Sequence, residues 1–380
     1  MALARNGNIR RDTTPSSHDS PDITWHQMLS LRTTAMPLKR LSHKIGPRLI
    51  HTQRRRSPLA FAFDIDGVLI HGPSVLPEAK RALAVLNGEN KQGIKIPYIM
   101  MTNGGGSTEA DRVARLSAEL GIPVHPSQMV QSHTVLRSLA HKYAEEPVLV
   151  LGGINDAVRK VAEGVFPFHR ITPEELMAAK PFDLPNTAFR AVFVFCDSRN
   201  WGLDIQVMID VLRAQGGVIG APYRVKGDPP LVELVFCNPD LLWRNDFPQH
   251  RFAQGVFKES FQSLMTGETY PYKQFGKPTA ETYDFAKELL LAHATELGGP
   301  KVPGAPEMSV YMVGGELADD GPGDMPYIAG ANAANWSSIL VHTGVYDPTL
   351  GLPPTSKPTI ELQNVEEAVK WAIQREGMEI

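Results

Sequence analysis

Hydrophobic and polar positions change in blocks along most of this chain. LAFAF (59–63) is an unbroken apolar run, PEAKRALAVLNG (77–88) spaces its apolar residues at helical intervals, and KIPYIMM (95–101) is apolar again. A glycine-rich turn leads into STEADRVARLSAELG (107–121), a second helical pattern, and SQMVQS (127–132) reads as a short strand. Strand, helix and strand in this order predict a parallel sheet with helices on both faces. A second set of strands follows in PVLVLGG, AVFVFC, GGVIGA and LVELVFC, with LDIQVMIDVLRAQ as its helix. The first theme resumes with MSVYMVGG and SSILVHTG and closes on the helical VEEAVKWAIQRE. The expected architecture is α/β. A Rossmann-like core of residues 58–130 and 271–380 carries an inserted α/β domain of residues 131–270, which lies over its strand ends as a lid. The glycine pairs in LGGIND and AQGGVIG lack dinucleotide-fingerprint spacing and read as turns.

The block pattern begins only near Ser57. Residues 1–57 hold 11 Lys and Arg against 3 Asp and Glu, which leaves 27 basic and 38 acidic residues in the rest of the 380-residue chain. A basic, acid-poor leader rich in Ser and Thr fits a mitochondrial targeting peptide, with the matrix as destination. The alternative is a disordered basic tail on a cytoplasmic protein. An acidic body argues against nucleic acid as a partner, because phosphate backbones demand clustered Lys and Arg. No apolar run is long enough to span a bilayer, so no integral membrane segment is expected. Cys196 and Cys237 each end an apolar run and read as buried thiols rather than a disulfide.

The chemistry concentrates where apolar strands stop. FAFDIDGVLIHG (61–72) runs directly into Asp64 and Asp66. Of two carboxylates so placed, one can attack an electrophile such as phosphorus while the other moves protons. Their mutual repulsion calls for a counter-charge, and Mg²⁺ suits two carboxylates plus substrate phosphate oxygens. Gly67 lets the backbone turn and offer amides to an anion. After the next strand, Thr102 brings a hydroxyl, and Asn103 and Gly104 open a turn whose amides suit a phosphate. Lys277, in QFGKPTAETYDFA, precedes a proline and a helix start, where a cation can hold both nucleophile and phosphoryl group. Each feature has a bland reading too: an Asp-rich loop, a plain βα turn, a solvated lysine.

In this order, DIDGV, MTN and GKP resemble the first three motifs of the haloacid dehalogenase (HAD) superfamily of hydrolases. The long segment between the second and third resembles the α/β (C2-type) cap of its subfamily IIA. More narrowly, FCNPDLLW, RFAQGVFKESF and YKQFGKPTAETYDFA resemble the cat eye syndrome critical region protein 5 family, also called HAD-like hydrolase domain-containing protein 5. The resemblance covers about residues 58–380. It implies a Mg²⁺-dependent phosphatase acting on a small phosphate ester, and it permits a link to glycerophospholipid metabolism. Asp64 would be the nucleophile that forms an aspartyl-phosphate, and Asp66 the general acid/base with its carbonyl on the metal. Thr102 and Lys277 would hold the phosphoryl group. Asn238 and Asp240 of CNPDLLW belong to the cap, facing either substrate or a turn.

The fourth motif departs from the pattern. The family has Gly-Asp after its strand; here SVYMV is followed by Gly314 and Gly315. Asp320 falls at the spacing of the family's second metal aspartate, and Asp324, in a Gly-Asp-Met-Pro run, offers another alignment; Glu316 and Asp319 lie nearby. The expected metal set is Asp64, Asp66 and Asp320 or Asp324, of low affinity, with Gly315→Asp expected to tighten it. The rival readings are a phosphate-binding protein that has lost catalysis at this motif, and a transferase or dehalogenase on the same scaffold. Fold resemblance alone does not decide among them.

Overall fold

A computed structural model of the chain describes residues 59–154, 157–165, 170–173, 187–225, 227–243, 247, 249–265, 268–298, 308–315, 327–344 and 356–379. The leader, residues 1–57, lies outside them. The strands are β1 Leu59–Phe63, β2 Ile70–His71, β3 Ser74–Val75, β4 Tyr98–Met101, β5 Met129–Val130, β6 Val148–Leu151, β7 Arg170–Ile171 and β8 Ala191–Val194. They continue with β9 Glu233–Phe236, β10 Leu242–Trp243, β11 Arg251–Phe252, β12 Lys273–Gln274, β13 Ser309–Gly314, β14 Ser337–Val341 and β15 Ile360–Leu362. The helices are α1 Pro77–Leu86, α2 Glu109–Leu120, α3 Ala157–Val165, α4 Trp201–Arg213, α5 Gln254–Leu264, α6 Ala280–Glu296, α7 Tyr327–Ala333 and α8 Val365–Arg375.

The core sheet runs β15-β14-β13-β1-β4-β5, parallel throughout. LAFAF sits at its centre and is buried on both faces, as an apolar run without alternation requires. Its faces differ in bulk. Phe61 and Phe63 point into a layer with Leu83, Leu116 and Val369, from α1, α2 and α8. Ala60 and Ala62 leave room on the other face for Tyr283 and Leu290 of α6 and for Trp336. Large side chains on one face and small ones on the other set which helices can approach closely.

The second sheet runs β12-β9-β8-β6-β7, also parallel. Leu149, Val192 and Phe236 meet α4 and α5 on one face; Val150, Phe193 and Val235 meet α3 on the other. Two expectations change here. GGVIGA was expected to be a strand, but Gln215–Gly217 forms a 3-10 turn, and Val218 makes only an isolated bridge to Ala188. Gly216 and Gly217 both take positive φ, which ends any run of extended backbone. The return to the core was expected at residue 271, yet Lys273 and Gln274 still pair with β9 of the second sheet. The core sheet is next entered at β13.

Candidate active site

Three neighbouring strands of the core, β13, β1 and β4, end side by side and deliver the site. β1 stays in the ladder through the Asp64 amide, which donates to the Val313 carbonyl at 2.9 Å. The chain then turns at once: the Ile65 carbonyl accepts from the amides of Val68, Leu69 and Ile70. That turn leaves the Asp64 carboxylate buried under the strand ends and Asp66 exposed at their rim.

Lys277 arrives from the second sheet. Gly276, at φ 93°, lets the chain pass where a side chain would strike the Cys237 carbonyl, its Cβ lying only 2.4 Å away. The Lys277–Pro278 peptide is cis, and α6 starts two residues later. Lys277 Nζ donates to Asp64 Oδ1 at 2.6 Å and to the Met101 carbonyl at 3.2 Å. It also lies 3.8 Å from the centroid of the Tyr327 ring. Lysine and aspartate side chains are 1% and 8% exposed, so this is a buried ion pair. Burial raises the Asp64 carboxyl above its ordinary value; Lys277 pulls it down, and the neighbouring Asp66 adds to the rise. Desolvation outweighs the ion pair, as expected for a charge sunk this deep with one cationic partner.

Thr102 is buried at the end of β4, and its Oγ1 accepts from the Gly104 amide at 2.9 Å. Its hydroxyl proton has no acceptor among the described residues. The Gly104 amide is thus engaged by Thr102, and the turn it belongs to lines the cavity. Asn103 is likewise committed. Its Nδ2 donates to Asp240 Oδ1 at 2.9 Å and to the Lys277 carbonyl at 3.0 Å, and its Oδ1 accepts from the Lys277 amide at 2.7 Å. With both donors used, Asn103 ties the Lys277 loop to the second sheet while it lines the cavity. Asn238 accepts from the Asp240 amide at 2.8 Å, a local turn bond, and Asp240 spans the seam to Asn103 and Tyr327. Both also line the cavity. Asp320 and Asp324, like Glu316 and Asp319, lie outside the described residues.

Between the two sheets lies a cavity of about 610 Å³, walled by Asp64, Asp66 and Thr102 below and by Asp240 and Trp243 above. Its floor contains three glycines in close approach: a Cβ at Gly67 or at Gly315 would each come within 2.6 Å of Gly344 Cα. Backbone cannot yield as the tip of a side chain can, so position 315 has no room for the family's aspartate. Gly315→Asp, expected to tighten metal binding, would instead press its Cβ against the Gly344 backbone.

The donors present suit a hard cation. Asp64 and Asp66 offer oxygen atoms at one rim, and burial leaves Asp64 short of compensating charge. Mg²⁺ takes one or two carboxylates with waters and substrate oxygens. Among the described residues no three His, Cys, Asp or Glu side chains converge.

Three contributors were not read from the sequence. Tyr327 stacks on Lys277 and reaches Asp240. Gln254, fully buried, accepts from the Cys237 and Asn238 amides at 2.8 and 2.9 Å and donates to the Val194 carbonyl at 3.2 Å. Glu109, in the first turn of α2, accepts from Thr134 Oγ1 at 2.7 Å and pairs with Arg137 at 3.0 Å; His133 lies 3.5 Å away. Burial works against the Glu109 charge, yet these partners outweigh it and bring its carboxyl down to about 2. Buried polar partners of this kind leave no periodicity to read. The two cysteines are free and buried, as expected; burial pushes Cys196 up to about 12.

A buried carboxylate paired with a lysine at the ends of a parallel sheet, beneath an inserted α/β unit, is the arrangement of a HAD-type hydrolase site. Residues 61–165 match the haloacid dehalogenase-like hydrolase family and residues 274–368 match a second HAD-hydrolase-like family. A mitochondrial hydrolase of Saccharomyces cerevisiae is 34% identical over 368 residues, spanning 87% of this chain and 99% of that protein. A cardiolipin synthase/mitochondrial hydrolase fusion protein of Schizosaccharomyces pombe is 33% identical over 91% of this chain and 59% of its own length. Among solved structures, a 4-nitrophenylphosphatase from Thermotoga maritima superposes with a TM-score of 0.57 at 20% identity, over 82% of this chain and 97% of that one. The chain belongs to the haloacid dehalogenase-like hydrolases. Its cap, inserted between the second and third motifs, agrees with that fold.

Proposed function

We propose that this hydrolase is a Mg²⁺-dependent phosphatase acting on a small phosphate ester. The observation that carries the reading is the buried Lys277–Asp64 pair at 2.6 Å, with Asp66 at the rim of the same cavity. Asp64 is the nucleophile: its free Oδ attacks phosphorus in line, and the lysine holds its partner oxygen in register. Asp66, exposed toward the cavity, donates a proton to the departing oxygen and then takes one from water. The Thr102 hydroxyl, already oriented by the Gly104 amide, donates to a phosphoryl oxygen. Lys277 neutralises charge that builds on the transferred group. Asp64 and the Asp66 carbonyl would hold Mg²⁺, with an acid from residues 316–326, Asp320 or Asp324, as third donor. The metal supplies neutralisation of the phosphoryl charge.

The leader is read as a mitochondrial targeting sequence, a reading supported by its basic composition and by the mitochondrial names of both yeast relatives. The fusion of one relative to a cardiolipin synthase supports a substrate drawn from glycerophospholipid chemistry. A second reading, a phosphate-binding protein without turnover, is favoured by one observation: Gly344 leaves no room for a carboxylate at position 315. A panel of phosphate monoesters assayed with and without Mg²⁺ separates the two. Phosphate release that depends on the metal supports the phosphatase; ligand binding without release at any metal concentration supports the binding protein. A reporter carrying residues 1–57 that stays in the cytosol would refute the targeting role.

A further inference from the structure

The cavity wall holds two guanidinium groups that the proposed chemistry does not use, Arg112 of α2 and Arg199 of the loop after β8. They differ. Arg199 is exposed and stands beside Asp197, whose carboxyl feels its charge. Arg112 is partly buried, and its guanidinium forms no ion pair or hydrogen bond among the described residues. Burial lowers its pKa, and the charges of Asp66 and Glu119 only partly offset this while Arg115 adds to the fall. A guanidinium taken from water without a fixed acceptor is costly and calls for an anion supplied from outside.

The place of Arg112 says which part of the substrate supplies it. The transferred phosphoryl group must sit against Asp64, which Lys277 holds and beside which Thr102 lines the cavity. Arg112 lines the same cavity as Asp66, and Asp66 is the cavity acid whose charge it feels. Asp66 is the acid that protonates the departing oxygen, so a cation on its side of the cavity faces the leaving group. A cavity of about 610 Å³ is far larger than a phosphoryl group and leaves space there for a leaving group of several atoms.

Resting on the phosphatase reading above, we propose that Arg112 binds a second anionic group carried by the leaving group. The preferred substrates are then phosphate esters whose alcohol portion bears a carboxylate or another phosphate. A planar fork suits either anion, and a charge-assisted bond in a partly buried wall is enough to decide between substrates.

The test compares phenyl phosphate with 3-carboxyphenyl phosphate, two esters differing by one negative group. The wild-type protein is expected to favour the carboxylated ester by about tenfold or more in kcat/KM, mainly through KM. Arg112→Gln should bring the ratio close to one, and Arg112→Lys should retain part of it. Three results would overturn the proposal. Two are kinetic: a wild-type ratio near one, or an unchanged ratio in Arg112→Gln, which with equal losses on both esters would place Arg112 at the phosphoryl group or behind Asp66. The third comes from binding. Calorimetry with phenylphosphonate and 3-carboxyphenylphosphonate needs no turnover, and equal affinities in wild type and Arg112→Gln would refute the anion site. A protein that hydrolyses neither ester yet prefers the carboxylated phosphonate through Arg112 would sink the phosphatase reading and keep this one.

Discussion

Replacing Lys277 by methionine removes the sole cation paired with Asp64 among the described residues while keeping most of the side-chain volume. The remaining carboxylate, 8% exposed, keeps only the Ile65 amide as a favourable partner. Breaking a buried pair by removing one member costs about 3–5 kcal/mol. Asp64 can escape part of this by taking up a proton. From an ordinary carboxyl value of 3.8, holding that proton at pH 7 costs about 4 kcal/mol, which caps the loss in the same range. The sign follows. A carboxyl raised in the folded state favours folding least where the unfolded chain is ionised, so the variant loses stability as pH rises above 3.8 toward the folded value. Lowering the pH from 7 to 5 should return part of the deficit. Urea unfolding of wild type, Lys277→Met, Asp64→Asn and the double variant, in chelator at both pH values, measures this. The double variant should be markedly more stable at pH 7 than the two single losses add up to. A loss under about 1 kcal/mol, typical of exposed pairs, an additive cycle, or no pH dependence would refute the argument.

Gly315→Asp should destabilise the protein by about 1–3 kcal/mol, because its Cβ meets Gly344 Cα at 2.6 Å; a thermal melt unchanged from wild type would refute this. Glu109→Gln should remove stability of order 3 kcal/mol at neutral pH, estimated from a carboxyl moved from 4.5 to about 2. Wild type holds this stability above pH 4.5 and loses it as the pH falls toward 2, so the two melting curves should converge in acid. Gln254→Leu strands the Cys237 and Asn238 amides in a buried place and should cost about 2–4 kcal/mol, read by urea unfolding.

The sequence was most legible where strands are buried on both faces. LAFAF and YIMM are apolar without alternation because helices cover both sides, and the acids and hydroxyl that interrupt them mark the carboxyl edge. Asp64, Asp66 and Thr102 line one cavity for that reason, and Lys277 reaches it only through its bond to Asp64. GGVIGA misled because its apolar pair follows two glycines at positive φ, a conformation that composition does not reveal. Asn103 and Gly104 were expected at the substrate from their place beside the second motif, and Asn238 and Asp240 at either substrate or a turn. Their hydrogen bonds run instead across the seam between the sheets or close local turns, and such pairings join residues as far apart as Asn103 and Asp240. Arg112 and Tyr327 carried no pattern, since one is a helix arginine and the other an aromatic after an atypical motif.

The central claim is that Asp64 attacks phosphorus. Purified wild type and Asp64→Asn, compared for phosphate release from phenyl phosphate and 3-carboxyphenyl phosphate across a Mg²⁺ titration, test it most directly, with thermal melts confirming that both fold. The account predicts metal-dependent release by wild type and a loss of at least about 10³-fold in the variant, the scale expected when a nucleophile is removed. Release by Asp64→Asn at the wild-type rate would contradict it.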